Sequence, residues 1–268
     1  MAWATRANKH LTRAYLPAWQ ENLYQPLSPA ARTAFEAGGG QELGRAGDSR
    51  PAKMAALRSS SALAVNFFDP LTTAGLDAVR KAMNLEAAVV GIEFERKFPH
   101  GLPTQPPNLD VTLALANGET VGVESKFTEP YPRSETTCCP PLRAAYFEDD
   151  EGRWATLGLP RCQSLAESVG RTELFHQLDA AQLLKHILGL GRCSNPSGRP
   201  RLIYLWYACS HPDSRAHAAE VQRFAQLLDD KVGFQALTYQ ELYRTVRDAL
   251  EPGHCAYLEA RYFFEAVA

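Results

Sequence analysis

Residues 108–127 read NLDVTLALANGETVGVESKF, two runs of alternating side chains separated by Asn117-Gly118. Alternation with a period of two suits half-covered β-strands, and Asn-Gly between two such runs marks a hairpin. Parity then sorts the side chains. On the first strand Val111, Leu113 and Leu115 share one face, and Asp110, Thr112 and Ala114 the other. On the second, Val121, Val123 and Phe127 oppose Gly122, Glu124 and Lys126. A two-residue loop of Asn117 and Gly118 would lay the apolar face of one strand against the polar face of its neighbour, a register disfavoured wherever one side is buried. A three-residue loop, Asn117-Gly118-Glu119 with Gly118 left-handed, sets Leu113 opposite Val123, Leu115 opposite Val121 and Asp110 opposite Lys126. The pattern thus predicts that Asp110, Glu124 and Lys126 gather on one face.

The rest of the chain supplies a sheet around this hairpin. A further β segment is expected over Ala88 to Phe98, joined to the hairpin by a Pro-rich loop, and Leu202 to Cys209 (LIYLWYAC) reads as a central strand covered on both faces. Phe234 to Leu237 and Tyr257 to Ala266 are expected as further strands. Helical spacing marks Thr72 to Leu85, Arg171 to Leu190, Asp213 to Asp230 and Tyr239 to Leu250, and Glu129 to Gln163 reads as irregular. The first 60 residues differ in texture. Short helical stretches around Lys9 to Trp19 and Pro29 to Ala37 are interrupted by Gly38-Gly39-Gly40, and the segment reads as an appendage (1–60) to a main domain (61–268). The order of elements describes a mixed α/β sheet flanked by helices, preceded by a mainly helical N-terminal appendage.

Charge and cysteine usage narrow the function classes. Among 268 residues, 28 Lys plus Arg against 30 Asp plus Glu leave a formal net charge of -2, which excludes a uniformly basic nucleic-acid coat but permits a local basic groove. Residues 1–60 are locally basic, with Arg6, Lys9, Arg13, Arg32, Arg45, Arg50, Lys53 and Arg58 against Glu21, Glu36, Glu42 and Asp48. Such an excess suits phosphate contact or a solvated face. No signal peptide or membrane span is expected, and Cys138, Cys139, Cys162, Cys193, Cys209 and Cys255 lack CxxC pairing or a secreted framework. Reduced thiols and a cytoplasmic setting fit best. Zinc held by Cys138, Cys139 and Cys162 is disfavoured because vicinal cysteines chelate poorly.

Two carboxylates and an ammonium on one sheet face suit a hard divalent cation, since Mg²⁺ takes oxygen ligands and keeps several waters. Lys126 beside it can orient an attacking water and favour its deprotonated form, and the Ser125 carbonyl is a further candidate ligand. The same residues also describe an ordinary surface pair on a half-solvated hairpin, and spacing alone does not separate the two readings.

The helix, strand, Asp-bearing strand, Glu-x-Lys strand and following helix resemble the core of the PD-(D/E)XK nuclease superfamily, whose familiar members are type II restriction endonucleases. PPNLD, VGVESKFTEPY and AQLLKHILGL resemble in particular a bacterial group described as restriction-endonuclease-like, over about residues 61–210. The residue before the aspartate is Leu109, where the superfamily name promises proline. The resemblance implies a restriction-endonuclease-like fold, Asp110 and Glu124 as Mg²⁺ ligands (Mn²⁺ substituting), Lys126 as the catalytic lysine, and DNA, in all expectation double-stranded, as substrate. Glu95 is favoured over Glu93 as an added carboxylate, Gln182 and Lys185 are candidates to touch the metal-bound water or a phosphate, and His186 is left outside the site as a packed or surface residue. The basic first 60 residues are expected to help hold the duplex, and a homodimer is expected because cutting both strands needs two sites. A structure-selective or repair nuclease with the same triad, and a catalytically silent nucleic-acid-binding module, remain the alternatives.

Overall fold

The computed structural model describes residues 15–38, 40–44, 51–103, 105–131, 139–148, 151–193 and 195–263. Five strands form one sheet in the order β1-β2-β3-β4-β5: β1 Val89–Lys97, β2 Asn108–Leu115, β3 Thr120–Lys126, β4 Arg201–Trp206 and β5 Gly233–Thr238. β1, β2 and β3 pair antiparallel in succession, and β4 and β5 run parallel to β3. The expected mixed α/β sheet flanked by helices is therefore what forms.

Helices cover both faces, which is why β4 is apolar almost throughout. One face carries α1 (Pro29–Ala37), α2 (Ser60–Phe68), α3 (Thr73–Ala82), α7 (Tyr239–Val246) and α8 (Pro252–Arg261); the other carries α4 (Pro160–Ser168), α5 (Ala180–Gly191) and α6 (Ser214–Leu227). Val111, Leu113, Val121, Val123, Ile203 and Leu205 enter the first core, and Leu202 and Tyr204 the second. Leu23, Ala31, Phe35 and Met54 lie in that first core, with the Phe35 ring stacked 5.7 Å from Phe94 of β1. The described N-terminal residues thus share the core of the sheet.

The hairpin forms with the expected face assignment and a corrected register. Gly118 is left-handed (φ 84°), but the three loop residues are Ala116, Asn117 and Gly118: the Gly118 N–H donates to the Leu115 carbonyl (2.9 Å) and the Leu115 N–H to the Glu119 carbonyl (2.8 Å). Leu113 consequently pairs with Val121 and Val111 with Val123, two positions from the expected alignment. An even shift leaves every side chain on its face. The physical reason is that a left-handed glycine closes this turn as its last residue, with the Asn117 side chain accepting the Glu119 N–H at 3.1 Å. Continued by one step, the register sets Asp110 across from Glu124 rather than Lys126.

Three other expectations change. The helix expected over Arg171 to Leu190 is confined to α5, and α4 occupies part of the stretch read as irregular. The reason is Glu220, whose buried carboxylate accepts the backbone N–H groups of His176, Gln177 and Leu178 and so holds them out of a helical ladder; Asp179 then caps α5 by accepting the Gln182 N–H at 2.8 Å. The strand expected from Tyr257 is helical to Arg261, because Pro252 opens α8 and His254, Leu258 and Tyr262 bury at helical spacing; residues 264–268 lie outside the described set. In the helix expected from Lys9 to Trp19, residues 1–14 lie outside the described set, 15–18 are not helical, and Trp19–Asn22 is one 3-10 turn. Among the described residues no helix is long and apolar enough to cross a membrane.

Candidate active site

Strand β3 ends by alternating its side chains between the two cores. Ser125 faces the first, where its hydroxyl meets the Tyr239 hydroxyl at 2.7 Å, while Glu124 and Lys126 face α5. Gly122 makes this possible: a Cβ there would fall 2.6 Å from a Leu109 methyl and 3.0 Å from a Leu190 methyl, so the bare backbone lets α5 settle close over β3. That approach brings Gln182 and His186, one turn apart, onto the end of the strand.

The contacts are short. Lys126 Nζ donates to Glu124 Oε1 at 2.6 Å and to Gln182 Oε1 at 2.9 Å. Asp110, at the start of β2, accepts the Ser125 N–H at 2.7 Å. His186 Nε2 stands 3.0 Å from Glu124 Oε2 but off the line of a hydrogen bond, so both buried atoms lack a directional partner. Glu124 is 1% exposed and His186 2%.

Burial opposes the charged form of each group, and the neighbours decide the outcome. At Glu124 the Lys126 ammonium and His186 outweigh burial and hold the carboxyl down to about 2. Asp110 goes the other way: burial and the Glu124 charge push it well above the ordinary range, and Lys126 offsets only part. Burial would depress the Lys126 ammonium, yet the Glu124 and Asp110 charges raise it above its ordinary value. Lys126 is therefore held as a cation, with Glu124 ionised beside it, while burial and the Glu124 charge favour the protonated form of Asp110.

Each candidate residue can now be placed. Glu124, Lys126 and Gln182 are in direct contact, and Asp110 lies across from Glu124 in the register and accepts the Ser125 N–H. Glu95 reaches the same end of the sheet from β1: it lies between the pairs Phe94 with Val111 and Arg96 with Leu109, hence opposite Asp110, and its carboxylate accepts Asn108 Nδ2 at 2.5 Å. Burial raises its carboxyl; the Asn108 bond opposes this, and the Glu42 and Glu124 charges add to it. Its backbone is left-handed (φ 52°), unusual for a glutamate inside a strand and a costly conformation of the kind that clusters at active sites. Glu93 is exposed and pairs with Arg96 at 3.0 Å. Lys185 follows Gln182 along α5 without a contact to the triad.

His186 is packed as expected, and its spacing of four from Gln182 on one helix brings both to the same strand end, where it lies 3.0 Å from Glu124. Glu42 carried no signal, since it sits in a Gly-rich stretch. Burial raises its carboxyl, a hydrogen bond from Ser61 and the charge of Lys53 (3.9 Å) partly offset this, and its charge acts on Glu95.

Among the described residues no group of three or more His, Cys, Asp and Glu side chains stands at metal-holding geometry. The donors nonetheless suit a hard cation. Glu124 Oε2 is a buried oxygen 3.0 Å from His186 Nε2, burial and the Glu124 charge raise the Asp110 carboxyl, and both are oxygen ligands of the kind Mg²⁺ takes. The five described cysteines, Cys139, Cys162, Cys193, Cys209 and Cys255, are unpaired, with Cys162 pushed up to about 12 by burial; Cys138 lies outside the described set.

A family model described as Restriction Endonuclease associating with ARP matches residues 4–263. No curated protein and no solved structure gives a match.

Proposed function

Since the chain belongs to the family of restriction endonucleases associating with ARP, we propose that it is a Mg²⁺-dependent endonuclease of the PD-(D/E)XK type that hydrolyses phosphodiester bonds in double-stranded DNA. The observation that carries this reading is the meeting of Asp110, Glu124 and Lys126 at one end of the sheet, with a buried carboxylate oxygen left without a directional donor. A surface pair does not look like this. An exposed Glu-Lys contact contributes about 0–1 kcal/mol and leaves both groups wet, whereas Glu124 is buried and shares Lys126 with Gln182.

Asp110, Glu124 and the Ser125 carbonyl would hold the cation, with Glu95 as an added carboxylate; Mn²⁺ would substitute. The bound ion supplies electrophilic stabilisation of the charge that builds on the scissile phosphate. Lys126, permanently protonated, donates towards the attacking water and favours its deprotonated form. Gln182 fixes the direction of that ammonium, and His186 steadies the far oxygen of Glu124. As the water oxygen bonds to phosphorus its proton passes to bulk solvent, the opposite P–O bond breaks, and the leaving oxygen takes a proton from solvent. Two strands require two such sites, so the working form is a homodimer whose twofold axis matches the duplex. Size-exclusion chromatography showing only monomer with and without DNA excludes that assembly.

Incubating mixed-sequence duplex DNA with wild type, Glu124→Ala and Lys126→Ala in Mg²⁺, Mn²⁺ or EDTA tests the activity. Cutting is expected in either metal and absent in EDTA, with each variant slower by at least about 10²-fold. A parallel panel of nicked, branched and single-stranded DNA separates duplex cutting from structure-selective cutting. Wild-type protein that leaves every substrate intact in both metals overturns the reading.

A further inference from the structure

We propose that His100, Arg153, Lys185 and Arg192 form a subsite for a backbone phosphate of the duplex, further along α5 from the cutting centre. The assignment deepens the endonuclease reading and rests on it.

Beyond β1 the chain passes along α5. The Leu102 N–H donates to His100 Nδ1 at 3.3 Å, so the ring hydrogen is on Nε2. That nitrogen is buried, His100 being 1% exposed, and has no partner. An unmet buried donor costs about 1–3 kcal/mol, and such a group asks for an acceptor. Two guanidiniums contact the next residue, Gly101, and the charge of a lysine on α5 acts on the ring. Arg153 Nη1 donates to the Gly101 carbonyl at 3.4 Å, and the Arg192 guanidinium lies over Gly101, its carbon 2.8 Å from where a Cβ would be. Lys185 follows Gln182 by three residues on α5. Burial and then the charges of Arg153, Lys185 and Arg192 hold the His100 pKa below its ordinary value, which keeps the imidazole a neutral donor. Among the described residues, none of the three cations forms an ion pair with a carboxylate.

The scaffold beneath is fixed. Trp154 is fully buried, and its indole N–H donates to the Leu184 carbonyl at 3.0 Å, tying the residue next to Arg153 to the helix that carries Lys185. Two guanidiniums, an ammonium and a directional N–H match the several oxygens of a phosphate better than a single carboxylate. Position selects the source of that phosphate: residues three apart on a helix are about 5–6 Å apart, so Lys185 sits beside Gln182, which holds Lys126. A duplex whose scissile phosphate lies at Asp110 and Glu124 runs past Lys185.

The test is duplex binding by fluorescence anisotropy, in Ca²⁺ between about 50 and 200 mM salt. Relative to wild type, K185Q/R192Q is expected to bind at least about 10-fold more weakly, with the plot of log K against log salt shallower by about 1. Lys81→Gln, which removes a cation paired with Asp77 at 2.7 Å on the opposite face, should match wild type. His100→Leu should lose affinity several-fold and His100→Gln, which keeps an N–H donor, should regain most of it. A double variant whose affinity and slope equal those of Lys81→Gln overturns the subsite. Inorganic phosphate titrated calorimetrically separates the sources: phosphate binding that the double variant abolishes while duplex affinity stays intact overturns the duplex assignment. Loss of the endonuclease reading looks different, as duplex binding with the expected slopes but no cutting in Mg²⁺ or Mn²⁺.

Discussion

Asp110 and Glu124 are chemically alike and their surroundings push them apart, which would make both the affinity for the proposed cation and the stability dependent on pH. Asp110 keeps its proton above the ordinary carboxylate range, so a cation must displace that proton and divalent affinity should rise with pH until Asp110 is ionised. Calorimetry with Ca²⁺ in buffers of different ionisation enthalpy should register proton release; pH-independent affinity without proton release contradicts the assignment. The sign for metal-free stability follows. Ionising Asp110 as pH rises costs stability, whereas Glu124, held at about 2, contributes stability above the ordinary carboxylate range that is lost as pH falls towards 2. Asp110→Asn keeps an acceptor for the Ser125 N–H and removes the awkward charge. Metal-free Asp110→Asn should therefore melt about 2–4 °C higher than wild type at neutral pH, the shift that ~1 kcal/mol gives in a chain of this size, while losing the metal site. Glu95 offers a second residue-scale test through its left-handed backbone. Glycine adopts that conformation freely and alanine does not, so Glu95→Gly should exceed Glu95→Ala in stability by about 1 kcal/mol in urea unfolding; equal stabilities would show that the position is not strained.

At the scale of elements, the site exists because α5 lies close on β3 at Gly122. Gly122→Val should cost about 1–3 kcal/mol and lower cutting by displacing Gln182 and His186 from the strand end. A variant with wild-type stability and rate would show that the close approach is dispensable. The hairpin faces were legible in the sequence because alternation depends on parity alone, and a two-residue register error does not change parity. The register itself was not, because Asn117-Gly118-Glu119 and Ala116-Asn117-Gly118 are both three-residue loops and only the left-handed glycine's place as last residue decides between them. Leu174 and Leu178 carried helical spacing that Glu220 overrides from another element, and no local pattern reveals a carboxylate 42 residues away on the chain taking the Leu178 N–H. The aromatic residues after Tyr257 suggested a strand, while Pro252 and the spacing of His254, Leu258 and Tyr262 determine a helix. His186 is packed as expected, at 2% exposure, and its spacing of four from Gln182 is what brings it beside Glu124.

At the scale of the molecule, carboxylates on three adjacent strands, Glu95, Asp110 and Glu124, lie at one end of a sheet covered on both faces, with Glu42 acting on Glu95 through its charge. A chain beginning at Ser61 lacks Leu23, Ala31, Phe35 and Met54, each buried in the core behind β1 and β2. Large core deletions cost about 2–5 kcal/mol apiece against a total stability of about 5–15, so that truncation should abolish cooperative unfolding by circular dichroism. A sharp thermal transition near that of the full chain would contradict this. The proposed cleavage requires a cation lying between the carboxylates of Asp110 and Glu124. Anomalous diffraction from crystals soaked in Mn²⁺ tests that directly: a peak within about 2.0–2.4 Å of both carboxylates and absent in Glu124→Ala is the predicted result, and a soaked crystal with no peak there, or with Mn²⁺ bound only elsewhere, contradicts it.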